Sequence, residues 1–258
     1  MQKQLSFFEQ FGLAIKSYLT ALSFVFEKGL WKYFIYSILI SALLVFGGFE
    51  LAKNLSDTIE KWVMSYVNIN SGGGMLSFLG DTLHFLLNIG LKIVFFFVFS
   101  TFSKYILLII MSPIMALISE RTEEIVTGKI YPFNVFQFMK DILRGIIIAL
   151  RNMFIEFGFI FLGFLIVWIP LIGWLSTLFL FVLSYYFYGF SMIDYISERR
   201  RSGISQSVRY VRKNKGLAIG NGFIFSLLFA IPFIGGMIAA VLAPVAACIA
   251  VLEIEKGN

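Results

Sequence analysis

The chain has 258 residues, 59% of them hydrophobic, 18% aromatic and only 14% charged, with a formal net charge of +6 and a mean hydropathy of +0.87. Soluble globular proteins carry about 45–50% apolar and about 25% charged residues, and 21 basic with 15 acidic side chains are too few to cover a soluble surface of this size. These figures exclude a cytosolic enzyme, a secreted disulfide scaffold and a disordered chain, and the long apolar runs specify an all-α membrane protein, not a β-barrel.

Residues 5–27 open the chain. Polar positions at Ser6, Glu9, Gln10, Lys16, Ser17, Thr20, Ser23 and Glu27 recur near helical spacing in an otherwise apolar stretch. This predicts an amphipathic helix lying in the interface or against other helices. Polar residues interrupt it too often for a signal peptide, and no small-residue cleavage site follows. After Glu27-Lys28-Gly29, residues 30–52 are long enough to span a bilayer. A polar interlude, 53–82, contains Asn54, Ser56, Asp57, a loop-like Gly72-Gly73-Gly74 run and Asp81.

The next apolar segment, 83–119, approaches about 55 Å as a helix, against a hydrocarbon thickness of about 30 Å. Such a helix must project beyond the bilayer or kink, and Ser112-Pro113 is the obvious place. Lys92 and Lys104 bracket its Phe-rich centre and suit snorkelling at two interfaces. Two further blocks, 153–193 and 217–252, are each interrupted by the same pattern, Ile169-Pro170-Leu171-Ile172-Gly173 and Ile231-Pro232-Phe233-Ile234-Gly235, 62 residues apart. Proline and glycine this close break a helix and permit a tight reversal, which makes Pro170, Gly173, Pro232 and Gly235 hairpin breaks. The arms of the second block are about 22 Å each, short of a crossing. The pattern predicts two helical hairpins that dip into the membrane and return; four full spans with proline turns are the alternative.

Charge sets the orientation. Of the 21 Lys and Arg residues, 17 fall in 1–32, 111–152, the basic segment 194–216 and the tail after 252. By the positive-inside rule that face, with both termini, is cytoplasmic. The net +6 then needs no nucleic acid, because these cations serve as topology determinants meeting anionic lipid headgroups. One His and one Cys leave no disulfide, zinc cluster or Cys/His dyad. His84 suits an interfacial or packing role and Cys248 a buried small hydrophobe. No nucleophile elbow, zincin, P-loop or dinucleotide motif is present, and no cofactor or metal is expected.

Four stretches, in order from residue 29 to about 247, resemble the CysZ-type sulfate transporters of bacterial inner membranes, whose wider family includes the etoposide-induced proteins of eukaryotes. They are Gly29-Leu30-Trp31-Lys32-Tyr33; Ser112-Pro113 through Ser119-Glu120-Arg121-Thr122-Glu123; Asp194-Tyr195 with the basic segment; and Ile231-Pro232 followed by Pro244-Val245-Ala246. The resemblance implies two long spanning helices with two pairs of hemi-penetrating helices, sulfate conduction without ATP hydrolysis, and a homo-oligomer.

It also implies an anion-binding region at Gly29, Leu30, Trp31 and Lys32. Trp31 and Lys32 stand where the family carries two arginines, so one point charge and free backbone N–H groups replace two bidentate forks. An ordinary interfacial anchor pair is the alternative reading. Glu120, Arg121 and Glu123 align with the charged positions of the family's pore motif and suggest a vestibule in which Arg121 attracts an anion. Met115 replaces an Asn there and removes a hydrogen-bond donor. The function implied is permeation of a small oxyanion, foremost sulfate. A non-transporting scaffold or assembly factor is the alternative, and a lipid-modifying enzyme built on Glu120, Glu123 and Glu124 ranks third.

Overall fold

A computed structural model describes residues 5–66, 104–132, 134–166, 172–232 and 234–256. Gly72–Gly74, His84, Lys92 and Pro170 lie outside these residues. Among the described residues the regular elements are all helices: α1 (Phe7–Glu27), α2 (Tyr33–Tyr66), α3 (Lys104–Thr127), α4 (Val135–Ile166), α5 (Ile172–Arg199), α6 (Ile204–Lys213), α7 (Lys215–Phe229) and α8 (Gly235–Lys256). The segments Lys104–Thr127, Val135–Gly163, Leu178–Arg199 and Gly235–Lys256 are long and apolar enough to cross a membrane, which makes this a multi-pass membrane protein. Residues 1–41 and 107–258 form one compact unit, and 42–106 a second.

In the first unit, α1 starts at a capping box. The Glu9 N–H donates to Ser6 Oγ at 3.3 Å and the Ser6 N–H donates to the Glu9 carboxylate at 2.6 Å, satisfying two donors that a helix start otherwise orphans. Ala14, Tyr18, Ala21 and Val25, one helical stripe, are buried, and α1 packs on α7 and α8. Of the two placements the sequence allowed, one face of α1 lies against helices while Phe8, Leu19, Leu22 and Phe26 remain exposed on another. The approach to α7 is close: a Cβ added at Gly216 would stand 2.3 Å from the Phe7 carbonyl oxygen.

The helix predicted over 30–52 is preceded by a 3₁₀ turn, Leu30–Lys32, and α2 runs to Tyr66, into the polar interlude. Residues 53–66 contain neither Gly nor Pro, so polarity ends the apolar run there without ending the helix. The second unit contributes the α2 residues from Ala42 onward, where Thr58 Oγ1 donates to the Asn54 carbonyl at 2.7 Å.

The described part of the long apolar segment, α3, remains helical through Pro113 and continues to Thr127, past the predicted end at 119. Pro113 has no N–H to give the Ile109 carbonyl one turn back. Ser112 Oγ donates to that carbonyl at 2.9 Å and supplies the missing partner.

In the first hairpin, α4 and α5 span 32 and 28 residues, or about 48 and 42 Å, both long enough to cross. They exceed the block 153–193 because Gln137, Lys140, Asp141, Arg144 and Asn152 sit on turns of α4 that the apolar count omitted. Gly173 is the second residue of α5. In the second hairpin α7 has only 15 residues, about 22 Å, and α8 has 22. Pro232 lies in the turn between them, and Gly235 begins α8 where a Cβ would stand 2.2 Å from the Leu228 carbonyl oxygen.

The α4–α5 pair carries polar rungs between its apolar faces. Asn152 Nδ2 donates to Ser191 Oγ at 3.3 Å, and buried Glu156 accepts from the Ser184 and Tyr188 hydroxyls. The α5–α7 seam is tighter: added Cβ atoms at Gly189 and Gly222 would fall 1.9 and 1.8 Å from the carbonyl oxygens of Ala218 and Tyr185.

Candidate functional site

Charge concentrates at one end of the first unit, where the C-terminal turns of α3 and α5 meet the first turns of α4. Two buried ion clusters fix this end. In the first, Glu123 of α3 accepts from Arg199 of α5, with Nε at 2.9 Å and Nη2 at 2.8 Å, both side chains being nearly inaccessible. Arg199 Nη1 also donates to Ser119 Oγ at 2.9 Å, and Nη2 lies 3.9 Å from Cys248 Sγ on α8. Arg200 reaches Glu123 at 3.4 Å and forms a fork on Glu255 of α8, one arm at 2.7 Å. This single cluster ties α3, α5 and α8 together. The Glu255 hydrogen bonds, ahead of the opposing effect of burial, hold the Arg200 guanidinium above its ordinary range.

In the second cluster Arg144 of α4 makes a bidentate fork on Asp194 of α5, at 2.9 and 3.0 Å. The third arm of Arg144 donates to the Ser202 carbonyl, and Ser207 of α6 donates its hydroxyl to Asp194. A bidentate arginine fork fixes geometry as well as charge, so α4, α5, the 200–203 turn and α6 are held in one register. Tyr210 of α6 sits nearby with its buried hydroxyl unpartnered among the described residues. Burial, assisted by Glu255, pushes its phenol up to about 12.

Against the first cluster, with Arg199 in its wall, lies a cavity of about 360 Å³. Its charged lining is Glu120, Lys140, Asp141, Arg199 and Arg201, three cations against two carboxylates, with Asn134 and Gln137 adding amides. Tyr131, whose phenol is raised by burial and by the neighbouring Glu123 carboxylate, closes one wall. The lining comes from both helix ends and the 128–134 loop, and because Arg199 is already paired with Glu123, the charges left to the cavity are Lys140 and Arg201 against Glu120 and Asp141.

The predicted site residues fall into two adjoining groups. Leu30, Trp31 and Lys32 form the 3₁₀ turn after Gly29, whose φ of 72° lies in the left-handed region that glycine adopts without strain. Leu30 is buried, Trp31 and Lys32 are exposed, and Lys32 Nζ lies 5.7 Å from the Tyr33 ring centre. Tyr33 in turn lies near Arg121. Arg121 is turned outward, 62% exposed, and pairs with Glu124 at 2.6 Å. Glu120 lines the cavity and is close to both Arg121 and Arg199. It therefore joins the 29–33 turn to the cavity.

Glu123 is consumed in its ion cluster. Arg144, Arg199 and Asp194 were missed as interacting groups, since their partners lie 50 to 76 residues away in the chain. Lys140 and Asp141 were missed because they precede the apolar block. Among the described residues no group of three His, Cys, Asp or Glu side chains is placed to hold a metal ion. A family model described as "Sulfate transporter CysZ/Etoposide-induced protein 2.4" matches residues 17–239.

Proposed function

The chain belongs to this sulfate transporter CysZ/etoposide-induced protein 2.4 family, and from that premise we propose that it is a membrane permeation pathway for a small oxyanion, sulfate foremost, working without ATP hydrolysis. The observation that carries the reading is the cavity, which presents the exposed cations Lys140 and Arg201 at the end of helices long enough to cross a bilayer. Exposed cations and amides at such a mouth are the groups that attract a hydrated divalent anion. Lys140 and Arg201, both exposed, offer charges that attract it, while Arg199 is held fixed by Glu123. Lys32 and the backbone of the 29–32 turn form a second contact, joined to the first through Tyr33, Arg121 and Glu120.

In this proposal the cavity faces the cytoplasm of a bacterium, as do both termini, and the basic 194–216 segment rests on anionic headgroups. The second hairpin penetrates the bilayer only in part, since α7 is about 22 Å long. Exposed apolar faces of α4 and α5, including Phe154, Phe161, Leu175 and Leu178, meet lipid or a second copy of the chain.

The test is uptake of labelled sulfate into liposomes holding the purified protein. Flux above that of empty vesicles is expected, and Lys140→Ala with Arg201→Ala should lower it about tenfold at low salt, as loss of two vestibule charges weakens anion capture. Flux equal to that of empty vesicles overturns the reading in favour of a non-transporting scaffold.

A further inference from the structure

At the floor of the charged end, one acid lacks a partner. Glu198 of α5 is 3% exposed, yet neither of its carboxyl oxygens has a hydrogen-bond partner among the described residues. The acid that faces it from α4, close enough for the two carboxyls to interact, is Asp141. Asp141 accepts from Gln137 Nε2 and lines the cavity, so one member of the pair meets the cavity and the other is sealed behind it.

The surroundings offer no spare cation. From α4, Arg144 approaches, but its three arms serve Asp194 and the Ser202 carbonyl. From α5, Arg199 approaches, but it serves Glu123, Ser119 and Cys248. Asp194 on the preceding turn adds a like charge, offset by Arg144 and the Ser207 hydroxyl of α6. Glu120 of α3 faces Asp141 from across the cavity, and the buried Tyr195 adds only a neutral phenol.

Two carboxylates in contact cannot both stay ionised at low dielectric, and orphaned buried oxygens are costly. A single proton resolves both problems, because the protonated acid becomes a donor to its neighbour. We propose that Asp141 and Glu198 bind one proton between them, and that this proton sets whether the adjoining cavity admits an oxyanion. The second clause rests on the permeation reading. With the proton in place Lys140 and Arg201 balance Glu120 and the single charge left on the pair; its loss puts a further negative charge beside the anion's seat.

The experiment uses the full chain in lipid nanodiscs. Infrared difference spectra of wild type against Glu198→Gln, an isosteric change, should show a protonated carboxyl band at neutral pH that the variant lacks, and Asp141→Asn should shift it. Titration with sodium sulfate at alkaline pH, where the free pair has begun to lose its proton, in buffers of different ionisation enthalpy should show proton uptake on binding. Affinity should fall by up to about tenfold per pH unit at alkaline pH, the limit for one linked proton, and Glu198→Gln should abolish both effects. Absence of the band, or proton uptake unchanged in Glu198→Gln, overturns the proposal. A Glu198-dependent loss of the band when sodium replaces choline assigns the pair to a metal cation and overturns it too. A band that behaves as expected, with no sulfate binding at any pH, keeps the proton site and rejects the oxyanion reading alone.

Discussion

Replacing Glu123 by Ala isolates the cluster that ties α3, α5 and α8 together. At an effective dielectric constant of about 20, unit charges 2.8 Å apart attract by about 6 kcal/mol. Most of that offsets the desolvation of both ions, so the intact pair is worth far less than its gross attraction. Removing one partner is different, because Arg199, 6% exposed, is left as an uncompensated buried cation at a cost of about 3–5 kcal/mol. The second contact, to the partly exposed Arg200, adds little.

For a chain of this length such a loss corresponds to a fall of about 10 °C in the unfolding midpoint. Cys248 provides the assay. It is the chain's single cysteine, fully buried and beside Arg199, so a thiol-reactive dye reports opening of this cluster. Arg121→Ala, which removes an exposed pair, should move the midpoint by about 2 °C or less. Pairing Glu123→Ala with Arg199→Met should recover part of the loss, since the buried charge goes with its partner. If Glu123→Ala is no worse than Arg121→Ala, the cluster is not what holds these helices together.

Three further outcomes follow from packing and burial. Gly222→Ala should destabilise by about 2–3 kcal/mol or more, because its Cβ meets backbone, the Tyr185 carbonyl, and not a side chain able to turn away; thermal dye binding reads this directly. Tyr210→Phe should be neutral or raise stability by about 1 kcal/mol, since it deletes a buried hydroxyl without a partner. The same phenol titrates about 12 when folded against about 10 unfolded. The folded state thus holds its proton longer, and the contribution present below pH ~10 is lost as pH rises through ~12. Stability measured across that window should fall less steeply in Tyr210→Phe than in wild type.

The sequence announced helices wherever apolar residues ran long, and the second Ile-Pro-x-Ile-Gly motif falls between α7 and α8, where proline and glycine chemistry places a reversal. Helix ends were harder to read. A drop in hydrophobicity at Lys53 or before Met153 looks like a boundary, but a membrane helix continues into water as long as its residues allow it. In the charged end, Glu120 could be nominated from its position after an apolar run. Its neighbours Lys140, Asp141, Arg199 and Arg201 are brought to it by the way α4 and α5 pack on α3. Local spacing carries no information about such pairings, and the unpartnered oxygens of Glu198 become visible only when its surroundings are known.

The seam between α5 and α7 bears on how such a protein moves. Where backbone touches backbone there is no rotamer to exchange, so the interface cannot yield in small steps; it holds or it separates. Gly189 and Gly222 thereby make α5 and α7 one plate. The α4–α5 contact, by contrast, combines polar rungs around Asn152 and Glu156, where hydroxyls can trade partners, with the Arg144–Asp194 fork that pins one end. Any give between α4 and α5 would be confined to those rungs, about two to three turns from the fork, with the α5–α7 plate as the fixed member.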